Sequence, residues 1–223
     1  MKPRSGQPAW TGWFLKRKQV IVTTWKFRLL GLLVAASAIY LTYPGCLVSV
    51  AAGLVHEEKL DSAQLLVLEN FDADYFVFEA ARGLLRSGHS SKALVPVVAN
   101  ERTMKPGEVQ LGFTEVMSRI AGIDSYEIVA VRHTEPVSLT VALQVANLVE
   151  SQGIESVIVV SPRFRSARSY LVYDHVLTPR GIRVQCLAAS GPVDVATWWH
   201  TWHGIQDVGL EYSKLLYYRF WVL

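Results

Sequence analysis

Between Glu155 and Leu177 the chain reads Glu-Ser-Val-Ile-Val-Val-Ser-Pro-Arg-Phe-Arg-Ser-Ala-Arg-Ser-Tyr-Leu-Val-Tyr-Asp-His-Val-Leu. Val157 to Val160 is a continuous β-branched run, the pattern of a strand buried on both faces rather than one. Pro162 follows where a helix can start without losing a hydrogen bond. The stretch therefore predicts strand, tight turn and helix. A strand covered on both faces requires helices above and below it, which commits the rest of the chain to layered α/β architecture.

The same stretch carries the first functional signal. Arg163, Arg165 and Arg168 fall in the first turn of the predicted helix beside Ser161. Backbone N–H groups, the positive end of the helix dipole and three guanidinium groups would converge at the carboxyl end of one strand, where an anion is the natural occupant. The dipole disfavours cations there, and the alternative is that the arginines merely solvate the turn or pair with acidic neighbours.

From Leu29 to Val55 no charged residue occurs, a run longer than the roughly 20 residues that cross a bilayer as a helix. It predicts a transmembrane helix over about Phe27 to Pro44, with Pro44-Gly45 dividing the run and the remainder interfacial or re-entrant. Lys16, Arg17, Lys18, Lys26 and Arg28 precede the run and Lys59 alone soon follows it. The positive-inside rule then gives a single-pass protein of the plasma (inner) membrane with a cytoplasmic N-terminus and an outward-facing main domain. Two alternatives remain: Ala36-Ser37-Ala38 has the small-x-small form of a signal-peptidase site, and the run could be a buried hairpin of core helices. Residues 1–28 are then a basic, aromatic segment, 29–55 the anchor and interfacial segment, and 61–223 the α/β domain.

A net charge of +3, with basic residues concentrated beside the apolar run, gives no support to nucleic-acid binding. Cys46 and Cys186 stand in such different contexts that no disulfide framework is expected. After Asp61, alternating apolar runs and amphipathic segments predict strands at Gln64–Glu69, Lys92–Val98, Tyr126–Arg132, the central run and Ile182–Leu187. Helices are predicted over Asp72–Ser87, Glu108–Ala121, Pro136–Ser151 and after Pro162. Five strands alternating with four helices give a mostly parallel, Rossmann-like sheet with helices on both faces. All seven tryptophans lie in residues 10–25 or 198–221. The first group fits a membrane-interface belt; the second flanks a closing helix whose aromatic stripe either packs on the sheet or lies against lipid.

Ligands of such sheets bind at the strands' carboxyl ends. The residues there are Glu69, Asn70 and Asp72 after the first strand, Asn100, Glu101 and Arg102 after the second, His133 and Glu135 after the third, and Ser161 with its arginines after the fourth. Glu69, Asp72 and Glu135 are the candidate catalytic residues, for acid–base work or for holding a divalent cation beside a phosphate. Salt bridges neutralising a polar rim would account for the same carboxylates. No metal site and no cofactor is specified.

Several phrases occur in the order found in the SanA/ElyC/YdcF-like proteins. These are Glu79-Ala-Ala-Arg-Gly-Leu-Leu-Arg-Ser-Gly-His-Ser-Ser-Lys-Ala-Leu94, Phe113-Thr-Glu-Val116, Glu135-Pro-Val-Ser-Leu-Thr140, the central Val159 to Arg168, and Trp198-Trp199 with Glu211-Tyr-Ser-Lys-Leu-Leu-Tyr-Tyr218. Over about residues 61–220 the chain resembles that bacterial family. The resemblance implies an N-terminal membrane anchor, a role in cell-envelope maintenance such as handling polyprenyl-phosphate carriers, and site positions at Glu115, Glu135, Thr140 and the arginine-bearing helix. The chain departs from the family where Glu69-Asn70 and Ala99-Asn100 replace glycine pairs, and where Arg165 stands at the place of a histidine. Arginine stays protonated at working pH and cannot be a general base, so an anion-binding site survives the change and a histidine-dependent one does not.

The combined reading is a membrane-anchored domain binding a phosphate-bearing small molecule or lipid carrier. Ser161, Arg163, Arg165 and Arg168 would grip the anion, with Asn70, Glu115, Glu135 and Thr140 at the rim. The competing readings are a metal-assisted phosphoester hydrolase or transferase and a non-catalytic envelope adaptor working through the aromatic C-terminal helix.

Overall fold

The computed structural model describes residues 24–71, 74–99, 106–132 and 134–223. Trp10, Trp13, Lys16, Arg17 and Lys18 lie outside them, as do Asp72, Asn100, Glu101, Arg102 and His133. The chain divides into two units, Met1–Tyr43 and Pro44–Leu223.

In the first unit the described residues from Trp25 onward belong to α1, which runs Trp25–Ala52. Among the described residues this is the one helix long and apolar enough to cross a membrane, and its most apolar 18-residue window is wholly unburied. The expected break at Pro44 does not occur: the helix continues through Pro44 to Ala52. A proline removes one hydrogen bond of the ladder, while the residues beyond it are held by packing within the second unit, where Ala51 and Leu54 are buried against Phe164, Trp198 and Val208. The helix thus runs on past Pro44 as far as Ala52, although the two units part at Pro44.

The second unit is built on β1 (Leu65–Leu68), β2 (Ala93–Val98), β3 (Tyr126–Val131), β4 (Ser156–Pro162) and β5 (Arg183–Ala189). All pair in parallel, in the order β3-β2-β1-β4-β5. Each expected strand is found within two residues of its place. Alternate residues of the central strands face opposite layers, as a period of two requires. Leu66, Leu68, Ile158 and Val160 pack with Val77, Phe78 and Ala81 of α2 (Tyr75–Arg86), beside α3 (Glu108–Ala121). Leu65, Val67, Val157 and Val159 pack with Val141 and Val145 of α4 (Val137–Ser151) and with Val172 and Tyr173 of α5 (Ser166–Leu177).

α5 starts later than the sequence suggests. Arg163–Arg165 form a 3-10 turn, and the α-helix begins at Ser166 with Arg165 in the N-cap position. One of its first-turn donors is met from the segment just after α1, where the Ala167 N–H donates to the Leu54 carbonyl at 3.1 Å. The closing helix α6 (Trp202–Tyr217) buries Gly204, Val208 and Glu211 and is followed by a π-turn, Tyr218–Val222. Two bonds tie this region to the end of α1: Trp198 Nε1 donates to the Leu47 carbonyl at 2.9 Å and Tyr212 Oη to the Val50 carbonyl at 2.5 Å.

At Gly204 a β-carbon would overlap the backbone carbonyl of Trp198, whereas one at Gly209 would meet nothing. Gly204→Ala should therefore cost about 1–3 kcal/mol, as overpacking does, while Gly209→Ala should be neutral or slightly stabilising because alanine is the better helix former. Thermal melts of the two full-length variants check the contrast.

Candidate functional site

β1 and β4 are neighbours whose onward connections leave in opposite directions, so the groove at their carboxyl ends is the switch point of the sheet. Glu69 directly follows β1 and Ser161 is the last residue but one of β4, and both are fully buried. α5 rises from this point and sends Arg168 toward α6, where its Nε and Nη2 donate to Glu211 Oε2 at 3.1 and 3.0 Å. Arg168 Nη1 donates to Ser138 Oγ at the start of α4. Its guanidinium carbon lies 5.5 Å from the centre of the Tyr218 ring, and the Ser138 N–H donates to that tyrosine's oxygen at 2.9 Å. Arg165 Nε lies 3.9 Å from Glu211 Oε1, and Lys214 Nζ donates to the same oxygen at 2.8 Å.

Three cations thus converge on one carboxylate that is 7% exposed. Burial disfavours the Glu211 charge, but Arg168 and Arg165, helped by Lys214, outweigh it and hold the group below the ordinary carboxylate range. Glu69 stands on the other side of the arginines and has the opposite balance. Complete burial pushes its carboxyl up, against the pull of Arg165, Arg168 and a hydrogen bond from Ser169 Oγ to Oε2. Below it, burial and the nearby Glu69 raise both the Tyr173 hydroxyl and the Cys186 thiol well above their usual values.

Outward from the arginines opens a cleft of about 390 Å³ lined by Asp74, Phe164, Arg165, Asp207, Leu210 and Lys214 with Glu211 at its base. Asp74 caps α2 by accepting the Phe76 N–H at 3.0 Å. A larger depression, about 810 Å³, lies at the amino ends of β1, β2 and β3 among Gln64, Lys92, Ser125 and Gln152. It is away from the buried charges and from the switch point, so the smaller cleft is the candidate site.

The sequence-derived residues fall in several places. Arg165, Arg168 and Glu69 come together. Ser161 lies beneath them, its hydroxyl donating to the Pro162 carbonyl at 3.3 Å. Asn70 is buried and donates to Thr114 Oγ1 at 2.9 Å. Arg163 is turned away to the end of β5, with Ser190 Oγ and, at 3.6 Å, Asp194 as partners. Glu115 lines a different depression with Arg119, Asp124 and Tyr126. Glu135 caps its own helix by accepting the Val137 N–H at 3.3 Å, and the Thr140 carbonyl accepts from Gln144. Asp72 lies outside the described residues. The expected cradle of free first-turn N–H groups is filled at Ala167 by the Leu54 carbonyl. Among the described residues, no three His, Cys, Asp or Glu side chains gather as a metal site would require.

Glu211, Lys214, Ser138, Ser169 and Tyr218 are the members that sequence reasoning missed. One signal was present: Gly204, Val208, Glu211, Leu215 and Tyr218 recur at helical spacing, so Glu211 is a carboxylate inside an apolar stripe. Such a residue must find a cation when buried.

The two carboxylates should respond oppositely to pH. Glu69 has its folded-state pKa raised above the ordinary 4.5. Its contribution to stability is complete below the unfolded value and lost as pH rises through the folded one. Glu211 has its pKa lowered from 4.5, so its contribution is present above the unfolded value and lost as pH falls through the folded one. Glu211→Gln should therefore cost about 3–5 kcal/mol at neutral pH, because it leaves buried arginines uncompensated, and the deficit should narrow in acid. Glu69→Gln should match the parent in acid and gain on it as pH rises. Denaturant melts across a pH series measure both.

No protein-family model matches the chain, and no curated protein matches it. Among solved structures it is similar to a universal stress protein in complex with cAMP, at 12% identity and a TM-score of 0.37, over 58% of this chain and 100% of that one. It is also similar to a protein from the universal stress protein family from Burkholderia pseudomallei, at 13% identity and a TM-score of 0.33, over 57% of this chain and 97% of that one.

Proposed function

We propose that the chain is a membrane-anchored α/β domain that binds a phosphate-bearing small molecule in the cleft beside Arg165. The observation that carries this reading is the pairing in one cleft of a nearly buried guanidinium, Arg165 at 8% exposure, with the ammonium of Lys214. A desolvated cation facing a cleft binds an anion more strongly than a surface cation, because the local dielectric is low. Asp74 and Asp207 on the same walls suit hydroxyl or amine donors on the rest of the ligand. The match to SanA/ElyC/YdcF-like phrases supports placing this activity in the bacterial envelope, with lipid-linked phosphates among the ligands. The basic residues before α1 favour a cytoplasmic N-terminus and an outward-facing domain.

A catalytic reading draws on one further observation: Glu69 and Glu211 face the same two arginines with pKa values displaced in opposite directions. Divergent carboxylates of this kind can share acid and base roles. Release of inorganic phosphate from a bound phosphoester, abolished by Glu69→Gln, would establish it.

Binding is tested on the full chain in phospholipid nanodiscs, by thermal unfolding with inorganic phosphate, sugar phosphates, nucleotides and a short polyprenyl phosphate, each with and without magnesium. A ligand at about 100 times its Kd should add about 2.7 kcal/mol of stability. That gain should shrink in Lys214→Ala and vanish in Arg165→Ala. Absence of stabilisation by every phosphorylated compound would sink the reading.

A further inference from the structure

The order β3-β2-β1-β4-β5 leaves the sheet two edges, and the chain treats them differently. Along β5 the segment before β1 closes the edge: Glu58 Oε1 accepts the Cys186 N–H at 2.7 Å, and the Arg183 guanidinium donates to the Ser62 carbonyl at 3.2 Å. β3, Tyr-Glu-Ile-Val-Ala-Val, has no such cover among the described residues, and Tyr126, Ile128, Val129 and Ala130 are only half-buried. The Val131 carbonyl accepts the Ala99 N–H at 2.8 Å. Glu127, Val129 and Val131 therefore turn their backbone groups to β2, while Ile128 and Ala130 between them turn theirs outward. The next outward donor, the Arg132 N–H, is taken by Gln144 Oε1 at 3.1 Å. No described residue bonds the outward N–H and C=O groups of Ile128 and Ala130. An apolar edge without bulge or proline is a template for another strand.

These groups are self-complementary under a two-fold axis through Val129. Reversing the strand about that residue sets Ile128 of one copy against Ala130 of the other, and each such pair exchanges two hydrogen bonds. Val129 then faces its own copy as a non-hydrogen-bonded pair, where side chains approach most closely. The charges agree with this register. Arg132 falls opposite Tyr126 of the second copy, on the side of the sheet where Tyr126 and Ile128 pack with α2 and α3. On that side Tyr126 lines a depression of about 330 Å³ with Glu115, Arg119, Ile123 and Asp124. Two carboxylates against one arginine leave it negative among the described residues, and an arriving guanidinium meets an aromatic ring beside them. Glu127 falls opposite Val131 of the second copy, so the two glutamates do not meet.

We propose that this chain pairs with a second copy of itself through β3. The two sheets then join edge to edge, with Arg132 of each copy seated in the Glu115–Asp124–Tyr126 depression of the other. An unrelated strand would satisfy the same backbone groups; only a second copy also delivers Arg132 to both depressions at once.

The test uses the full chain in detergent with Cys46→Ser, which leaves the buried Cys186 as the one native cysteine. Mild oxidation of Val129→Cys should link two copies, because the paired β-carbons stand at disulfide distance. Ile205→Cys, on the exposed side of α6, serves as the control and should link at least about tenfold less. Adding Arg132→Glu to Val129→Cys should lower the linked fraction about tenfold, and adding Asp124→Arg to that should restore it by returning opposite charges to the contact. A folded Val129→Cys variant that does not link, linking at Ile205 in its place, or linking undiminished by Arg132→Glu would each overturn the proposal. Where Val129→Cys does not fold, light-scattering masses decide: the parent should be a dimer and Arg132→Glu a monomer, and equal masses for the two count against the pairing.

Discussion

The contact between Arg168 and Glu211 is the constraint on which the rest of the second unit depends. A guanidinium in the first turn of a helix faces an unfavourable dipole, and Arg168 is 5% exposed, so water does not offset that charge. Only a carboxylate brought in from elsewhere can. α6 supplies it 43 residues later in the chain, and in doing so is pinned across the carboxyl end of the sheet. Ser138 and Tyr218 take up the remaining geometry, so that α4, α5, α6 and the C-terminal turn meet at one ion pair. Buried pairs of this type contribute little net stability compared with an apolar replacement, yet losing one partner is severe. Their effect here is to specify one arrangement of the closing helix.

Fixing α6 also shapes the chemistry. Glu211 draws three cations to one point, and the cleft opens on the side where Arg165 and Lys214 face outward. Glu69 remains on the inner side, fully buried and bonded by Ser169. One arginine pair therefore separates a carboxyl that resists ionisation from a carboxylate that resists protonation.

The sheet was legible in the sequence because its signals are local. The unbroken Val157–Val160 run, the alternation of strand and helix patterns, and the short connections are all read within windows of a dozen residues. The site was legible only in part. Arg165 and Arg168 were marked by their place after a central strand, but Arg163, two positions away, turns to Ser190 and Asp194 because the intervening 3-10 turn rotates it off the α5 face. Glu115, carried over from the family resemblance, lines another surface, and Glu135, read both from its place after the third strand and from that resemblance, caps its own helix. Glu211 and the Leu54 carbonyl were not found, since each acts across tens of residues and neither has a spacing that announces its partner. Continuation of α1 past Pro44 belongs with these: packing against Trp198 and Val208, remote in sequence, outweighs one missing hydrogen bond.

The register of the sheet carries a consequence for the order in which the protein is made. β1, the middle strand, finds one parallel neighbour in β2 but its other in β4, and the bond between Gln64 and Ser156 at their base spans 92 positions. The bond from the His56 N–H, in the segment after α1, to the Ser166 hydroxyl at the start of α5 spans more, 110 positions. Such distant pairings are slow to close, and chains emerge from the ribosome amino end first. The apolar α1 is therefore complete long before β4, α5 and α6 exist to pack against its end. The sheet is completed last at its centre, with the waiting edge of β1 the segment most in need of protection until its partner arrives.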